Sequence, residues 1–426
     1  MSPKGTALLC AILLLASAGA LRAAEKPGPG PKPAKASGGE RLAVDVKHPG
    51  AEGMQYHLFV PKALQPGKTY PLLFALHGNG HAAATMRNQL EGCSSDALPV
   101  FIVAPQYQKG MKFNDPRWEE SLLFNEVFPL ILKEVQAKYP IAPSRRYLCG
   151  FSMGGMYSCQ WAYRQRKAGE AFPFQALFLY SSCMPPRTPE EAPDVPYLMF
   201  VGEKETAVMG TVNVLGMTRD TFNPMFRMGK DVRYLEIPGM NHAIGPVCVE
   251  TTRKFIEADT PWPDVRLKKA SPACAALAQD LACGLWREAR EKAAALEADG
   301  SLDEKTLLES KALHKAWREA AKQEADRLGK GPPTLEAVER LEALGTLVDD
   351  EDAGKKIAAT LDKLRKSKGL AAELEARRLF QEARERERQD EAAGKPAFEA
   401  LAKAHAATVY GQRAQARVRA LLPAGS

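Results

Sequence analysis

RRYLCGFSMGGMYS, residues 145–158, is the stretch that decides the fold, because it joins a strand-like apolar run to a helix-like run through a glycine-flanked serine. Gly150, Ser152 and Gly154 form the pattern G-x-S-x-G, which is weak evidence alone and strong evidence where a strand ends and a helix begins. A turn this tight strains the serine backbone and leaves no room for side chains at the two glycines. The serine hydroxyl is then expected to project into the crevice at the carboxyl ends of the strands.

Strand-like and helix-like runs alternate on both sides of this turn. The sequence predicts eight strands, at 42–48, 55–60, 71–77, 99–104, 146–151, 176–181, 197–202 and 232–237. It predicts helices between them at 121–138, 154–167 and 248–258. The middle strands are largely apolar, as parallel strands covered on both faces are, and the first two are expected to pair as an antiparallel hairpin at the sheet edge. The prediction is an α/β fold with a doubly wound, mostly parallel sheet.

Residues 1–40 are typical of a targeting segment followed by a tether. Residues 1–24 combine Lys4, a short apolar run and the small-residue site Ala18-Gly19-Ala20, which together predict a secretory signal peptide. The apolar run is shorter than the ~20 residues that span a bilayer, so no stable membrane span is expected after the signal is removed. Residues 25–40 are rich in Pro, Gly and Lys and predict a flexible linker. We therefore expect a secreted, periplasmic or cell-envelope protein.

The composition changes near Thr260-Pro261-Trp262-Pro263. Beyond this point Ala, Glu, Lys, Leu and Arg dominate and apolar residues recur at helical spacing, which predicts an all-α helical domain over 264–426. The α/β domain is accordingly predicted to cover 41–263. The predicted helices of the second domain are 272–297, 303–328, 334–346, 351–367, 370–390 and 395–421.

Composition excludes several other classes of protein. Of 426 residues, 45% are apolar and 26% are charged, which excludes a wholly disordered, collagen-like or polytopic membrane chain. The net charge of +7 is small and not concentrated in one block, so no nucleic-acid partner is expected. No metal-ligand spacing and no phosphate loop occur, so neither a metal nor a cofactor is expected. The eight cysteines less Cys10 leave seven, so at least one thiol is free or paired between molecules.

A second segment with chemical meaning is Leu76-His77-Gly78-Asn79-Gly80, directly after the apolar run LLFA. A serine that attacks an acyl carbon creates an oxyanion, which requires two backbone N–H donors already facing it. The amide of Met153 at the helix start is one predicted donor and the amide of Asn79 is the other, with the flanking glycines keeping the backbone close. His77 is expected to support this loop rather than to transfer protons.

The serine also needs a base that takes its proton. After Ser152 the chain has three histidines, His242, His314 and His405. His242 lies in the loop Pro238-Gly239-Met240-Asn241-His242 after a predicted strand, whereas the other two lie in charged helical segments. His242 is therefore the predicted base.

The acid that orients this base is expected between the serine and the histidine, at a strand end. The predicted strand 197–202 runs into Glu203-Lys204-Glu205, in which Glu205 is the first choice and Glu203 is its competitor. Asp220 is a third option, but it lies far from any predicted strand end. The order serine, glutamate, histidine along the chain is the order found in hydrolases with this elbow.

Four segments together resemble the α/β-hydrolase superfamily: LLFALHGNGHAA at 72–83, RRYLCGFSMGGMYS at 145–158, LMFVGEKETAV at 198–208 and IPGMNHAI at 237–244. Over roughly residues 41–260 the chain is similar to secreted esterases of the feruloyl/acetyl-xylan esterase and polyhydroxybutyrate depolymerase type. The resemblance implies an α/β-hydrolase catalytic domain with Ser152 as nucleophile, His242 as base, Glu205 as acid, and the amides of Asn79 and Met153 as the oxyanion hole. These esterases usually carry Asp where Glu205 stands.

The end of the chain carries a second, shorter resemblance. FEALAKAHAATVYGQRAQARVRAL, at 398–421, resembles the closing helix pair of tetratricopeptide-like repeats in envelope proteins. The resemblance implies a helical extension, which could offer a surface to a protein or cell-envelope partner.

The expected function is a secreted serine esterase that cleaves a carboxylic ester, in a small molecule or linked to a polysaccharide, through a Ser-His-Glu triad and an acyl-enzyme. The alternatives are a serine peptidase of the same fold and a non-catalytic binding protein on a hydrolase scaffold. The methionine-rich stretch 206–229 is expected either to line an acyl pocket or to pack against the sheet. Trp118 is expected either to flank the crevice or to be buried.

Overall fold

The computed structural model of the protein describes residues 38–66, 68–107, 122–167, 172–183, 192–208, 210, 212–258, 271–282, 286–299, 302–348 and 351–422. The predicted signal peptide, 1–24, lies outside these residues, and so does most of the predicted linker, 25–40. Trp118 also lies outside them.

Among the described residues, eight strands form one mixed sheet. They are β1 (Gly39–Asp45), β2 (Gln55–Pro61), β3 (Tyr70–Leu76), β4 (Phe101–Gln106), β5 (Ile141–Phe151), β6 (Ala176–Tyr180), β7 (Tyr197–Gly202) and β8 (Val232–Ile237). Their order across the sheet is β1-β2-β4-β3-β5-β6-β7-β8. β2 pairs antiparallel with β1 and β4, and the other neighbours pair in parallel. The predicted α/β fold, mostly parallel sheet and antiparallel edge hairpin are therefore confirmed.

Two of the eight strands differ from the prediction by three residues or more at one or both ends, and the others agree within two residues. β1 covers Gly39–Asp45 rather than 42–48, because its register with β2 starts from the pair Gly39 and Pro61. β5 begins at Ile141, which pairs with Tyr70 before a register shift, so it is longer than the predicted strand 146–151. The polar residues just before position 146 hide this early start in the sequence.

Five α-helices accompany the sheet in the described part of the chain: α1 (Ala83–Leu90), α2 (Phe128–Lys138), α3 (Met153–Lys167), α4 (Val214–Arg227) and α5 (Pro246–Ala258). A π-helical turn, Leu123–Val127, leads into α2. α1 is absent from the predicted helices because it is short and no side chain caps its N-terminus. α4 does carry such a signal, since the side chain of Asn213 accepts a hydrogen bond from the Gly216 amide.

Both faces of the sheet are covered, which makes it a rigid platform. All seven residues of β3 are buried. On one face, the ring of Phe74 lies edge-on to Phe128 and Trp161, with ring centroids 5.8 and 5.5 Å apart. Leu73 and Ala75 point to the opposite face, because side chains alternate along a strand, and they join a second buried cluster there. Residues at the carboxyl ends of these strands are therefore held by packing on two sides.

The chain divides into two compact units, and the first includes two segments of the C-terminal region. The first unit contains the described residues within Met1–Glu257, Arg384–Glu399 and Arg413–Ser426. The second contains those within Ala258–Ala383 and Ala400–Gln412.

The C-terminal segments of the first unit pack on α4. Arg417 is fully buried, pairs with Glu387 and donates to the side-chain oxygen of Asn223. Its guanidinium also lies 4.8 Å from the ring centre of Phe226, within cation–π range. Asn223 in turn donates to the carbonyl of Ala420 at 3.1 Å. These contacts explain why the segments group with the sheet, although their composition is typical of the helical region.

Eight α-helices follow α5 in the described residues: α6 (Ala275–Ala282), α7 (Trp286–Ala298), α8 (Glu304–Lys330), α9 (Leu335–Leu347), α10 (Glu351–Arg365), α11 (Ala371–Gln389), α12 (Glu391–Ala404) and α13 (Val409–Ala420). They confirm the predicted all-α region. The side chains of Asp303 and Thr334 cap α8 and α9 by accepting hydrogen bonds from backbone amides. None of the described helices is both long enough and apolar enough to cross a membrane.

The predicted continuous helix 395–421 is wrong. The chain forms α12 and α13 instead, with a turn from His405 to Thr408 between them. The Thr408 hydroxyl donates to the His405 carbonyl at 2.8 Å and accepts from the Gly411 amide at 2.9 Å, which caps α13. A Cβ at Gly411 would collide with the His405 carbonyl, so glycine permits this close approach. The alanine-rich surroundings favour helix and conceal the break.

Candidate active site

Ser152 lies on a strained turn between β5 and α3. Its φ angle is 52°, in the left-handed region that non-glycine residues rarely adopt. A Cβ at Gly150 would collide with the Gly154 carbonyl, and a Cβ at Gly154 would collide with the carbonyl of Leu76 in β3. Both glycines are therefore required by close backbone approach, as the sequence predicts. The turn directs the serine side chain away from the sheet at its carboxyl edge.

Ser152, His242 and Glu205 form one hydrogen-bonded series. The distance from Ser152 Oγ to His242 Nε2 is 3.0 Å, and the distance from His242 Nδ1 to Glu205 Oε2 is 2.6 Å. The Glu205 side chain is completely buried, whereas the imidazole is 21% exposed. The three residues come from the loops that follow β5, β7 and β8, so the series depends on the parallel alignment of these strands.

The partners of Glu205 fix the direction of these hydrogen bonds. Its Oε1 accepts from the Ser181 hydroxyl at 2.7 Å and from the Gly202 amide at 2.6 Å. An ionised carboxylate can only accept, so His242 Nδ1 must carry the proton that bonds Oε2. Nε2 is then left as an acceptor for the Ser152 hydroxyl proton. The arrangement can therefore draw a proton from the serine onto the imidazole.

The two other carboxylates considered from the sequence lie elsewhere. Glu203 is exposed, and its Oε2 accepts a hydrogen bond from the Gly239 amide at 2.8 Å. Asp220 is exposed on α4. Of the three acids, Glu205 is the one that contacts His242.

The loop after β3 lies against the turn that carries Ser152. A Cβ at Gly78 would come within 2.8 Å of the Phe151 ring, so this glycine lets the two backbones approach. Gly80 has a φ of 72°, which ends the loop in the left-handed region. Between them, Asn79 is partly exposed, and its amide forms no hydrogen bond within the described part of the chain. Met153 is the first residue of α3, beside the serine.

His77 and His81 differ in their surroundings. His77 is fully buried, donates from Nδ1 to the Gly78 carbonyl at 2.9 Å and stacks on Tyr107 at 4.2 Å. Burial lowers the pKa of His77 to about 4, so it stays neutral and supports the loop, as predicted. His81 lies 5.1 Å from the Phe151 ring, measured between ring centres. Burial, with the nearby His242 as a smaller cause, lowers the pKa of His81.

The cysteines and methionines contribute little to this chemistry. The six described cysteines are all buried. Burial raises the pKa of Cys248 to about 12, so this thiol stays protonated beside Glu205. Met225 is buried in α4 while Met228 is 42% exposed, a division that fits helix packing rather than a shared pocket wall. No group of three potential metal ligands occurs among the described residues.

Two neighbours of the series, Ser181 and Ser182, are not singled out by the sequence analysis. The predicted strand 176–181 includes Ser181, but β6 ends at Tyr180, and Ser181 turns with a φ of 49°. The Ser182 hydroxyl donates to the Ser152 carbonyl at 2.6 Å. A pair of serines at the carboxyl end of a buried strand, next to the strand of the nucleophilic turn, is the signal that could have found them.

No protein-family model and no curated protein matches the sequence. Similar solved structures include a thermostable esterase, 24% identical, with 51% of this chain and 61% of that chain covered and a TM-score of 0.38. A ferulic acid esterase from Anaeromyces mucronatus is 15% identical, with 54% and 93% covered and a TM-score of 0.40. A dienelactone hydrolase from Anabaena variabilis is 16% identical, with 51% and 96% covered and a TM-score of 0.38. The chain thus spans less than two thirds of the thermostable esterase.

The strand order, the antiparallel second strand and the strained serine turn after β5 define an α/β-hydrolase fold. The similarity of this chain to the esterases above is distant, with TM-scores of 0.38 and 0.40.

Proposed function

We propose that the protein is a secreted serine hydrolase that cleaves carboxylic esters through an acyl-enzyme. The proposal is carried by one observation: Ser152 Oγ lies 3.0 Å from His242 Nε2 while His242 Nδ1 lies 2.6 Å from the buried Glu205. A base within hydrogen-bond reach of a nucleophile, itself oriented by a third group, is the arrangement that activates serine.

The proposed reaction has two halves. Ser152 Oγ attacks the ester carbonyl carbon while His242 Nε2 accepts the hydroxyl proton, which gives a tetrahedral intermediate. The imidazolium then protonates the leaving alcohol, and the carbon–oxygen bond to that alcohol breaks to leave the acyl-enzyme. A water molecule repeats the attack with His242 as base, and release of the acid restores the serine hydroxyl. Glu205 stays ionised throughout and stabilises the imidazolium.

The charge of the intermediate is proposed to rest on the amides of Asn79 and Met153. Support comes from the position of Met153 at the N-terminus of α3, where backbone amides and the helix dipole favour negative charge. The approach of the Gly78 loop to Phe151 brings Asn79 to the same region. Donors fixed in advance lower the barrier more than donors that must reorganise during the reaction.

A fluorophosphonate probe tests the nucleophile directly. The wild-type protein is expected to be labelled, and Ser152→Ala is expected to lose the label. Ser158→Ala is the matched control, because it removes a buried hydroxyl that, among the described residues, donates within α3 to the Gly154 carbonyl. Its labelling should persist at equal folded content by circular dichroism. Failure of the wild-type protein to label would favour the non-catalytic binding scaffold.

The substrate class is tested with a panel of acetyl, butyryl, feruloyl and peptidyl substrates. Turnover of the esters, abolished in Ser152→Ala, is the expected result. Cleavage of the peptidyl substrates alone would assign the same residues to a peptidase. The panel separates these outcomes because an ester and a peptide bond need the same nucleophile but differ in the leaving group.

Export is proposed from residues 1–24, which combine Lys4, a short apolar run and small residues before position 20. N-terminal sequencing of the protein recovered outside the cytosol is expected to start after Ala20 or Ala24. A mature chain that retains residues 1–24 would contradict cleavage.

A further inference from the structure

Ser181 connects the end of β6 to the acid of the hydrogen-bonded series. Its side chain is buried and its Oγ lies 2.7 Å from Glu205 Oε1. A second acceptor, the Ala243 carbonyl, lies farther away, at 3.4 Å. The hydroxyl has a single proton, so the shorter contact decides its direction, and Ser181 donates to the carboxylate.

We propose that Ser181 is a positioning residue: its hydroxyl holds Glu205 Oε1 so that Oε2 is aligned with His242 Nδ1. The inference rests on the proposed hydrolase function. Glu205 is completely buried and has one more rotatable bond than aspartate, so two oxygens must be held to fix the plane of the carboxylate. The Gly202 amide and the Ser181 hydroxyl hold Oε1, and the imidazole holds Oε2.

The backbone of Ser181 supports this role. Its φ of 49° lies in the left-handed region, where glycine or asparagine is ordinarily preferred. Only two described non-glycine residues have a positive φ, Ser152 and Ser181. Strained backbone is stored at functional sites when the surroundings hold it in place. Serine at this position is less favourable for the backbone than glycine, but it supplies the hydroxyl that bonds Glu205.

The next residue, Ser182, also carries a buried hydroxyl, and its hydrogen-bond partners differ from those of Ser181. Its hydroxyl donates to the Ser152 carbonyl at 2.6 Å. It is buried like Ser181, yet the acceptors within reach of its hydroxyl among the described residues are the carbonyls of Ser152 and Cys183, not Glu205. The two adjacent hydroxyls therefore hold different members of the series, the nucleophile turn and the acid.

Other titratable groups near this pair are few among the described residues. His81, in the loop after β3, faces His242, and Cys248, in α5, faces Glu205. Burial raises the pKa of Cys248 to about 12, so it does not ionise in the range of the assay. His81 does not contact Ser181, so a His81→Gln background should leave the effect of a Ser181 variant unchanged.

The test compares Ser181→Ala, Ser181→Gly and Ser182→Ala. Both Ser181 variants are expected to lower kcat by about 10- to 100-fold with KM nearly unchanged, because a hydrogen bond to a buried charge is lost. Glycine relieves the backbone strain that alanine keeps, so Ser181→Gly should be the more stable of the two by thermal unfolding. Equal loss of kcat despite unequal stability is the signature of a lost hydroxyl.

A second readout does not require ester turnover. The Nδ1 proton of His242, whose resonance is assigned with His242→Gln, is observed by NMR in each protein. Without the Ser181 donor the Glu205 carboxylate is able to turn, so its hydrogen bond with Nδ1 lengthens and weakens. The resonance is therefore expected to move upfield in both Ser181 variants and to stay in place in Ser182→Ala.

Three results would overturn the role of Ser181. These are a wild-type kcat in both variants, recovery of kcat in Ser181→Gly in step with its stability, or an unmoved His242 Nδ1 resonance in both variants. If the wild-type protein neither reacts with the probe nor cleaves any ester, but the resonance still moves in the Ser181 variants, the hydrolase function is refuted and the coupling of Ser181 to His242 stands.

Discussion

Each of the two units buries a glutamate, and the two glutamates are satisfied in opposite ways. In the first unit, Glu205 is held by a hydroxyl, an amide and an imidazole. In the second unit, Glu324 in α8, with 1% of its side chain exposed, pairs with Arg327 at 2.6 Å and with Arg340 at 2.8 Å. Burial would raise the pKa of Glu324, but its bonds to the two arginines outweigh this effect and lower the pKa.

The difference separates a structural carboxylate from one that is available for chemistry. Arg327 and Arg340 always carry a positive charge, so they compensate the charge of Glu324 at all times. Glu324 therefore does not favour protonation of any further group beside it. Glu205 has neutral donors and one titratable partner, so its charge is compensated fully only when His242 gains a proton. An acid arranged in this way stabilises the imidazolium that forms when serine attacks, and an acid held by arginine would not.

The largest loss of activity is expected from a substitution of Glu205. Glu205→Gln should lower kcat by about 10³- to 10⁴-fold, because an amide neither fixes the imidazole tautomer nor stabilises the imidazolium. Glu203→Gln is the matched control, since Glu203 bonds the Gly239 amide instead of His242. Steady-state kinetics on the best ester of the panel measures both. Equal losses of kcat in the two variants would show that the contact of Glu205 with His242 gives it no special role in catalysis.

The second prediction concerns stability and the buried ion pair of Arg417 and Glu387 in the first unit. Arg417→Ala should lower the free energy of unfolding by about 3–5 kcal/mol, because it leaves Glu387 buried without its partner. Arg378→Ala is the control: that side chain is 55% exposed and pairs with the exposed Glu375 and Glu382, and because water screens such pairs its loss should hardly change the free energy of unfolding. Urea unfolding followed by circular dichroism compares them. Similar midpoints for both variants would show that the C-terminal segments contribute little to the first unit.

This expectation also bears on the predicted domain boundary. A fragment of residues 41–263 lacks Arg384–Glu399 and the described residues after Arg413, which group with the sheet. It would expose the Phe226 ring that Arg417 and Arg384 now cover. The fragment should therefore be less stable than the full chain.

A smaller effect is expected for the arginine-bound acid. Glu324→Gln should lower the free energy of unfolding by about 1–3 kcal/mol and leave kcat unchanged. Because the pKa of Glu324 is lowered in the folded state, its stabilising contribution is full above pH 4.5, the ordinary value, and is lost as the pH falls through the folded value. Unfolding curves of wild type and variant should thus converge in acid. A constant difference down to pH 3 would contradict the lowered pKa.

The sequence predicts the sheet well because its signals are local. Most of the central strands are apolar runs bounded by turn residues, and Gly150, Ser152 and Gly154 identify the turn after β5. Positions that depend on contacts far apart in the chain are not predictable in this way. Ser181 reads as the last residue of a strand, and its contact with Glu205 exists only once β6 and β7 are neighbours. Arg417 likewise looks like one more surface charge of an amphipathic helix.

Whether a glycine is required depends on its position in the fold. The smallest change in stability that we predict comes from replacing one that is not required. A Cβ at Gly354, inside α10, would meet nothing within 4 Å, so Gly354→Ala should raise the free energy of unfolding by about 0.5–1 kcal/mol. Gly154→Ala should do the reverse and lower both stability and kcat, because its Cβ would collide with the Leu76 carbonyl. Thermal unfolding and kinetics measure the pair. Destabilisation by Gly354→Ala would mean that α10 needs the freedom of glycine, and the helical unit would then be less regular than its side-chain caps and ion pairs indicate.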